Sequence, residues 1–194
     1  MSSYDVVIAT PGETFNQYYI WSLLDTIEYL NNKGISWRWA NDYSSHVGQA
    51  RQRLIDKLNT ISYKKLFWID SDISWEVKDF DRLLNSDRPM VSGCYVTTAG
   101  VVAAQDIDGY SIPIHQLDSM SELHEIKSCG FGFFCIDKGI IESIKDPLMP
   151  VDGYLNEDVS FCIRAKRELG IPVLLDTKVR VDHFRTVSLG WGEV

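Results

Sequence analysis

Apolar residues follow two spacings along the chain, and the two spacings alternate over its first half. Short continuous apolar runs bounded by turn residues predict buried strands. These runs lie at 4–10, 35–40, 66–69, 90–96, 132–136, 172–175 and 179–183. Apolar residues three and four apart predict helices. The predicted helices run from Thr14 to Lys33, from Ser44 or Ser45 to Leu58, over 77–84, and from Asn156 to Leu169.

This alternation favours an α/β sheet covered by helices. No internal repeat, low-complexity tract or linker divides the chain, so we expect one domain over residues 1–194. Residues 97–127 are less regular, with turn signals at Gly100, Asp108-Gly109 and Pro113. The segment 189–194 contains Gly190-Trp191-Gly192 and is predicted to be a flexible tail, with a lid over the site as the alternative. The predicted fold class is therefore α/β, a single domain with a mixed, mainly parallel sheet.

Composition removes several classes of function. The formal net charge of −8 disfavours nonspecific binding to nucleic acid, which relies on basic surface. There is no long uncharged apolar stretch that would span a membrane, and no signal peptide at the start. The four scattered cysteines favour reduced thiols in a cytoplasmic protein, with a disulfide pair as the alternative. An anionic substrate would need a metal or a few well-placed arginines.

The acidic triplet Asp70-Ser71-Asp72 directly follows the apolar run Leu66–Ile69. If the strand continued through the triplet, the two carboxylates would share one face. Two such carboxylates repel each other, and a divalent cation that takes oxygen ligands removes this penalty. In α/β sheets, ligands gather at the carboxyl ends of strands. The triplet therefore predicts a Mn²⁺ or Mg²⁺ site, and the alternative is an Asp70 turn cap beside a solvated Asp72.

Asn156-Glu157-Asp158 lies at the predicted start of a helix. Asparagine caps helices, and acidic residues in the first turn suit the helix dipole, so a structural role is one interpretation. The functional interpretation is that Glu157 or Asp158 acts as a general base. A carboxylate can take the proton from an attacking hydroxyl that lies within hydrogen-bond distance.

Two basic side chains could complete such a site. His183 shares one face of a predicted strand with Val179 and Val181. It is either a structural residue or a metal ligand beside Asp72. Arg51 lies on the flank of the apolar face of its helix, where it could reach a phosphate or a carboxylate at the sheet edge.

The segment Cys129-Gly130-Phe131-Gly132-Phe133 places two glycines at the start of a strand. Glycine permits a close approach of the backbone to a ligand, and the alternative is a β-bulge. The chain has neither a GxGxxG nor a GK[ST] phosphate loop, and it has no HExxH zinc helix.

In their order along residues 4–187, these motifs resemble those of nucleotide-sugar glycosyltransferases of the GT-A (Rossmann-like) fold, of the family 2 type. The DxD motif matches Asp70-Ser71-Asp72, and the acidic xED motif matches Asn156-Glu157-Asp158. The glycine-rich acceptor loop matches 129–132, and the late histidine ligand matches His183. The segment 48–53 resembles the helix that carries a nucleotide-contacting arginine.

The resemblance implies a metal-dependent transfer of a sugar from a nucleoside diphosphate sugar, commonly UDP-linked, to a hydroxyl of a glycan or other acceptor, and the xED match favours inversion. Asp158 would be the catalytic base, and Glu157 would assist it. Asp70, Asp72 and His183 would hold Mn²⁺ or Mg²⁺. The residues implied for donor binding are Thr10, Pro11, Glu13, Arg51, Asp70, Ser71, Asp72 and Gly130.

Two other functions fit the same pattern. A sugar-phosphate nucleotidyltransferase would use a related sheet, but that class usually carries basic residues in a glycine-rich loop after the first strand. Here the segment Ala9–Phe15 has one glycine and neither lysine nor arginine. A non-catalytic module that binds nucleotide-sugars or glycans is the third candidate. It would bind the donor without hydrolysing or transferring it.

Overall fold

The computed structural model describes residues 3–148 and 156–185, so the predicted tail at 189–194 lies outside the described residues. The helices are α1 (Gln17–Asn32), α2 (Val47–Leu58), α3 (Val77–Leu84), α4 (Lys138–Ser143) and α5 (Glu157–Leu169). The strands are β1 (Ser3–Pro11), β2 (Trp37–Asp42), β3 (Ser62–Ile69), β4 (Ile73–Ser74), β5 (Met90–Cys94), β6 (Val101–Gln105), β7 (Ser111–Pro113), β8 (Leu123–Ile126), β9 (Ser128–Cys129), β10 (Phe133–Asp137), β11 (Val173–Arg180) and β12 (Asp182–His183). None of the helices in these ranges is long and apolar enough to span a membrane.

Seven strands form the central sheet, in the order β2-β1-β3-β10-β5-β11-β8. Strand β1 pairs in parallel with β2 and β3, and β5 pairs in parallel with β11. Strand β10 is antiparallel to both β3 and β5, and β8 is antiparallel to β11. Helices cover both faces of the sheet. The mixed α/β class predicted from the sequence is confirmed.

Alternate residues of the central strands enter two separate hydrophobic cores. In β1, Val6 and Ile8 pack on the face covered by α1 and α3, together with Tyr19 and Phe80. The residues between them, Val7 and Ala9, pack on the opposite face, against Leu54 of α2 and Phe161 of α5. Burial on both faces explains why these strands appear in the sequence as continuous apolar runs.

One edge of the sheet collects the ends of several strands. Strands β1, β3 and β5 run in the same direction, so Pro11 at the end of β1, Asp70 after β3 and Tyr95 after β5 lie at the same edge. Because β10 runs the opposite way, its amino end, preceded by the glycine segment 130–132, reaches that edge as well. Two small sheets, β7-β6-β9 and β12-β4, flank this edge. The topology thus brings the predicted site motifs together.

Helix starts differ from the predicted capping residues. Helix α1 begins at Gln17, because the Asn16 side chain accepts a hydrogen bond from the Tyr18 amide at 2.9 Å. The helix predicted from Thr14 therefore begins three residues later than expected. Helix α2 begins after His46, which makes no side-chain capping bond, so neither Ser44 nor Ser45 caps it.

The strand predicted to end at Leu175 continues instead to Arg180, and Asp182–His183 forms the separate strand β12. Polar residues separate the two predicted strands, and two of these residues have hydrogen-bond partners in the structure. Asp176 accepts a hydrogen bond from Arg82 Nε at 2.7 Å, and the Thr177 amide donates to the Glu122 carbonyl at 2.9 Å. Satisfied polar groups allow the strand to continue through the core.

Candidate active site

A cleft of about 570 Å³ opens at the strand edge described above. It is lined by the turn after β3, the start of α5, strand β6 and the glycine segment before β10. Predicted site residues that line it are Pro11, Asp70, Ser71, Asp72, Gly130, Asp158 and His183. The cleft therefore joins the DxD-like triplet, the acidic helix start and the late histidine, which are far apart in sequence.

Arg51 lies beneath this cleft and ties two of the motifs together. Its side chain is 3% exposed, and its Nη2 donates to Asp70 Oδ1 at 2.8 Å. Its Nη1 donates to Glu157 Oε1 at 2.5 Å and lies 3.9 Å from Asp158 Oδ2. The guanidinium also stacks over the Phe131 ring, at 5.4 Å from its centre. Of the two partners that the sequence allowed, a phosphate or a carboxylate, Arg51 contacts carboxylates.

The electrostatics of this cluster favour a charged arginine. Burial acts to lower the pKa of Arg51, but the carboxylates of Asp70, Glu157 and Asp158 outweigh it, and the pKa is raised well above its usual range. Three carboxylates surround one cation, so the cluster has an excess of negative charge. A buried cation of this kind holds its partners in place, because leaving them unpaired is costly.

Glu157 and Asp158 are neighbours in sequence but occupy different surroundings. Glu157 has a side chain that is 10% exposed and is bound to Arg51, and it does not line the cleft. Asp158 lines the cleft with 18% of its side chain exposed. Its Oδ1 accepts a hydrogen bond from the Val159 amide at 2.7 Å. Burial raises the pKa of Asp158, and the nearby Arg51 opposes this only in part. A carboxyl with a raised pKa facing a cleft is suited to accept a proton.

The triplet Asp70-Ser71-Asp72 does not continue strand β3, contrary to the geometry expected from the sequence. The Ile73 amide donates to the Asp70 carbonyl at 3.1 Å, so the four residues form a turn. As a result the two carboxylates diverge. Asp70 reaches Arg51, whereas Asp72 reaches His183. Burial raises the pKa of Asp72, His183 opposes that shift, and Asp70 adds to it.

Pairing of β12 with β4 brings His183 to Asp72. The Phe184 amide donates to the Asp72 carbonyl at 2.8 Å, next to this pairing. His183 Nδ1 lies 2.9 Å from the Val96 carbonyl, which can only accept, so Nδ1 carries a proton. In the neutral imidazole, Nε2 is then an unprotonated acceptor at 3.2 Å from Asp72 Oδ2. Two acceptors face each other, and a proton or a metal cation between them would satisfy both.

These two side chains fit a divalent cation that also binds substrate. Carboxylate oxygen suits Mg²⁺ and Mn²⁺, and a backbone bond to the second ring nitrogen commonly orients a ligating histidine. Within residues 3–148 and 156–185, however, no group of three His, Cys, Asp or Glu side chains is arranged to hold a metal. Asp72 and His183 would therefore need oxygen atoms of the substrate or water to complete the coordination.

The residues after β1 divide into supporting and exposed groups. Thr10 is fully buried, and its hydroxyl bonds to Tyr19 Oη at 2.5 Å and accepts from Trp39 Nε1 at 3.1 Å. The Thr10 side chain therefore supports the cleft from below. The resemblance implied instead that Thr10 contacts the donor. Pro11 lines the cleft, while Glu13 is exposed and lies outside its lining.

The two glycines of 129–133 make room for a side chain that sequence reasoning missed, Tyr95. A Cβ at Gly130 would lie 2.1 Å from Tyr95 Oη, and one at Gly132 would lie 2.6 Å from its ring. The Gly132 amide donates to Tyr95 Oη at 3.2 Å, and the ring packs edge-on against His183. The backbone approach expected toward a ligand is thus toward Tyr95, although Gly130 also lines the cleft. Paired glycines opposite a single aromatic residue were the available signal.

The wall formed by β6 was also missed, because residues 97–127 carry no strong periodicity. Val101, Ala103 and Gln105 alternate with buried residues and line the cleft. Strand β6 pairs with β7 and β9, so it depends on contacts that are remote in sequence. Short strands of this kind have no local pattern long enough to predict.

Comparison with known proteins gives structural likenesses only. No protein-family model and no curated protein sequence matches the chain. Among solved structures, the crystal structure of A197 from STIV has a TM-score of 0.64 and 19% identity, covering 94% of this chain and 86% of that one. The inositol-1-phosphate CTP transferase from T. maritima has a TM-score of 0.52 and 7% identity, covering 93% and 89%. At these identities the two likenesses show a shared fold.

A third similar structure is a glycosyltransferase involved in the glycosylation of the major capsid of PBCV-1. It has a TM-score of 0.46 and 12% identity, and the match covers 94% of this chain and 96% of that one. A score at this level does not by itself establish a common fold. The function of the present chain therefore has to be argued from its own cleft.

Proposed function

We propose that the protein is a glycosyltransferase of the GT-A type that transfers a sugar from a nucleoside diphosphate sugar, with UDP as the first donor to test, to a hydroxyl acceptor. One observation carries the proposal. Asp158, a carboxyl with a raised pKa, and the Asp72–His183 pair line the same cleft, at the edge where β1, β3 and β5 end. Transfer of a sugar from a nucleoside diphosphate needs a base that takes the proton of the acceptor. It also needs groups that stabilise the charge developing on the leaving diphosphate.

The proposed reaction is an inverting displacement. The acceptor oxygen forms a bond to the anomeric carbon of the donor sugar while the bond from that carbon to the phosphate oxygen breaks. The bonding electrons leave with the nucleoside diphosphate, and the acceptor proton passes to a carboxylate oxygen of Asp158. The raised pKa of Asp158 makes it a better proton acceptor than an ordinary aspartate, provided that it is ionised when the acceptor binds.

The implied cation would be Mn²⁺ or Mg²⁺, held by Asp72 and His183 in the proposed site. When bound, it would neutralise charge that develops on the leaving diphosphate. Asp70 has a different proposed role, because its carboxylate is bound to Arg51. We assign Asp70, Arg51 and Glu157 to positioning, since their contacts fix the turn after β3 against the start of α5.

Calorimetric titration tests the proposal with UDP, GDP, ADP and CDP, each in Mn²⁺ and in EDTA. We expect one nucleotide to bind in Mn²⁺ and to lose that binding in EDTA. Asp72→Ala should abolish the metal-dependent part while circular dichroism remains unchanged. Absence of binding by all four nucleotides would contradict the proposed donor site. Release of nucleoside diphosphate from the matching sugar donor would then separate an enzyme from a non-catalytic binding module.

A sugar-phosphate nucleotidyltransferase is the second candidate, because a protein of that broad class, the T. maritima CTP transferase, shares the fold. The segment Ala9–Phe15 after β1 argues against it, since it holds neither lysine nor arginine to contact a triphosphate. Release of pyrophosphate from a nucleoside triphosphate in the presence of a sugar phosphate would favour this candidate over sugar transfer.

A further inference from the structure

A second cleft, of about 590 Å³, lies beside the first and shares part of its wall. Ser71, Asp72 and His183 line both clefts, so the Asp72–His183 pair stands between them. The second cleft is otherwise lined by Thr14, Phe15, Asn16, Thr98, Phe184 and Arg185. A substrate with two chemically different parts could therefore reach across the pair, with one part in each cleft.

The two clefts differ in net charge, which is negative in the first and balanced in the second. Three carboxylates, Asp70, Asp72 and Asp158, are among the described residues that line the first cleft, which include no lysine or arginine. Arg51 lies beneath it, but both of its terminal nitrogens are bound to carboxylates. Among the described residues that line the second cleft, Arg185 is the single arginine or lysine and Asp72 the single carboxylate. The first cleft therefore repels an anion, and the second can accept one.

Arg185 is held close to the Asp72–His183 pair by the backbone. The amide of the preceding residue, Phe184, donates to the Asp72 carbonyl at 2.8 Å, and the Phe184 ring stacks on Tyr18 at 4.7 Å between ring centres. The Arg185 side chain itself is exposed. Within the described part of the chain it makes no hydrogen bond or ion pair. The residue before Arg185 is held by its backbone and its ring, and the Arg185 guanidinium has no carboxylate partner among the described residues. The guanidinium is therefore available to an anionic ligand.

Uncharged groups beside Arg185 suit the same ligand. Thr14 and Thr98 each present a hydroxyl in the lining, and Asn16 presents an amide. The side-chain oxygen of Asn16, Oδ1, already accepts from the Tyr18 amide, which leaves the side-chain NH₂ group of Asn16 as a donor. Hydroxyl and amide donors around a guanidinium match the several oxygen atoms of a phosphate. In a chain with a net charge of −8, such a local concentration of donors is what an anionic substrate requires.

We propose that the second cleft holds the diphosphate of the donor, with Arg185 pairing to its phosphoryl oxygens, and that the sugar extends past Asp72 and His183 into the first cleft. The inference rests on the proposed function and adds an orientation to it. The neutral sugar would then lie among the carboxylates that include Asp158. The diphosphate would lie beside the guanidinium of Arg185.

The test compares Arg185→Ala with Arg185→Lys and with a matched control, Arg88→Ala. Arg88 is also an exposed arginine, but it pairs with Asp87 before β5, at the opposite end of that strand from Tyr95. Calorimetry would use the UDP, GDP, ADP and CDP panel, inorganic pyrophosphate, and the four matching nucleosides. Circular dichroism would verify that each variant is folded, which the exposed position of Arg185 favours.

We expect Arg185→Ala to weaken binding of pyrophosphate and of the preferred nucleoside diphosphate by about tenfold or more, as for the loss of a charge-assisted hydrogen bond. Binding of the matching nucleoside should be unchanged, Arg185→Lys should retain part of the affinity, and Arg88→Ala should behave as wild type. Equal diphosphate affinity in Arg185→Ala and wild type would overturn the inference and leave the proposed function standing. If wild type binds none of the panel, the proposed function fails first and this orientation fails with it.

Discussion

Two groups of acidic residues meet at the same cleft, and they are held in opposite ways. Asp70 and Glu157 are bound to Arg51, whose side chain is 3% exposed. Asp72 is half exposed and faces only an imidazole at 3.2 Å. The first group is paired with a cation of the protein itself, and this pairing holds two chain segments together. The second is incompletely neutralised, so it is the group that can gain from binding a cation.

Asp158 lies between these two extremes. It is 3.9 Å from Arg51, too far for a hydrogen bond, yet it lines the cleft. The difference between Glu157 and Asp158 shows that adjacency in a motif does not imply a shared role. Consecutive residues of a helix point about 100° apart, so the first carboxylate of α5 is directed inward and the second toward the cleft.

The most damaging change to this arrangement should be Arg51→Met, which removes the cation and leaves buried carboxylates without a partner. Breaking a buried ion pair in this way costs about 3–5 kcal/mol in the free energy of unfolding. Arg53→Met is the control on the same helix, because Arg53 is half exposed and its ion pair to Asp42 is worth about 1 kcal/mol or less. Urea denaturation would measure both. Similar losses in the two variants would contradict a special role for Arg51.

The next largest effect separates the two neighbouring carboxylates. Asp158→Asn should reduce the transfer rate by about 10²–10⁴-fold, the usual contribution of a general base, with donor affinity retained. Glu157→Gln should lower the free energy of unfolding, because it weakens the contact with Arg51, and should reduce transfer less. Steady-state kinetics and thermal unfolding on both variants would measure this. Near-normal transfer by Asp158→Asn would move the base elsewhere.

The pH dependence of transfer gives a second view of Asp158. Its pKa is raised, so as the pH falls the carboxylate takes up its proton earlier than an ordinary aspartate with a pKa of about 3.9. A protonated carboxyl cannot accept the proton of the acceptor. The acidic limb of kcat/KM should therefore lie above pH 3.9, and a limb at or below that value would contradict this role.

A smaller effect concerns the Asp72–His183 pair. His183→Gln should reduce the affinity for Mn²⁺, measured by titration in the presence of nucleotide, by about tenfold or more. The midpoint of thermal unfolding should change little, because His183 lies at the edge of the fold in a two-residue strand. A large loss of stability with unchanged Mn²⁺ affinity would show a structural histidine instead.

The last expected change tests the support of the cleft by Tyr95. Gly130→Ala would place a Cβ against Tyr95 Oη, and overpacking costs about 1–3 kcal/mol. Tyr95→Phe removes that oxygen, and the next ring atom is 3.3 Å away, so the double variant should recover most of the loss. Gly132→Ala is the control, because ring carbon remains 2.6 Å from its Cβ position and Tyr95→Phe should not rescue it.

Much of the architecture could be predicted from the sequence, because buried strands and amphipathic helices leave patterns of several residues. The central strands β1, β3 and β5 and the helix α3 lie where their apolar residues indicated. The motifs Asp70–Asp72 and Asn156–Asp158 were recognised as candidates from their residue types and positions. Their convergence on one cleft follows from strand order, which a single sequence does not display.

The failures have particular physical causes. The directions of Asp70 and Asp72 depend on a turn made by one hydrogen bond from the Ile73 amide, which no spacing reveals. The burial of Arg51 depends on its contact with α5, which is about a hundred residues away in the chain. The role of Tyr95 depends on the absence of side chains at Gly130 and Gly132, in the segment between β9 and β10.

The most direct test of the account is the release of nucleoside diphosphate from UDP-, GDP-, ADP- and CDP-linked sugars, in Mn²⁺ and in EDTA, by wild type and Asp158→Asn. The account predicts that wild type releases one nucleoside diphosphate in Mn²⁺, that EDTA stops the release, and that Asp158→Asn greatly reduces it although the variant still binds the donor. Release of none of the four by wild type, or equal release by Asp158→Asn, would contradict the assignment of this cleft to sugar transfer with Asp158 as its base.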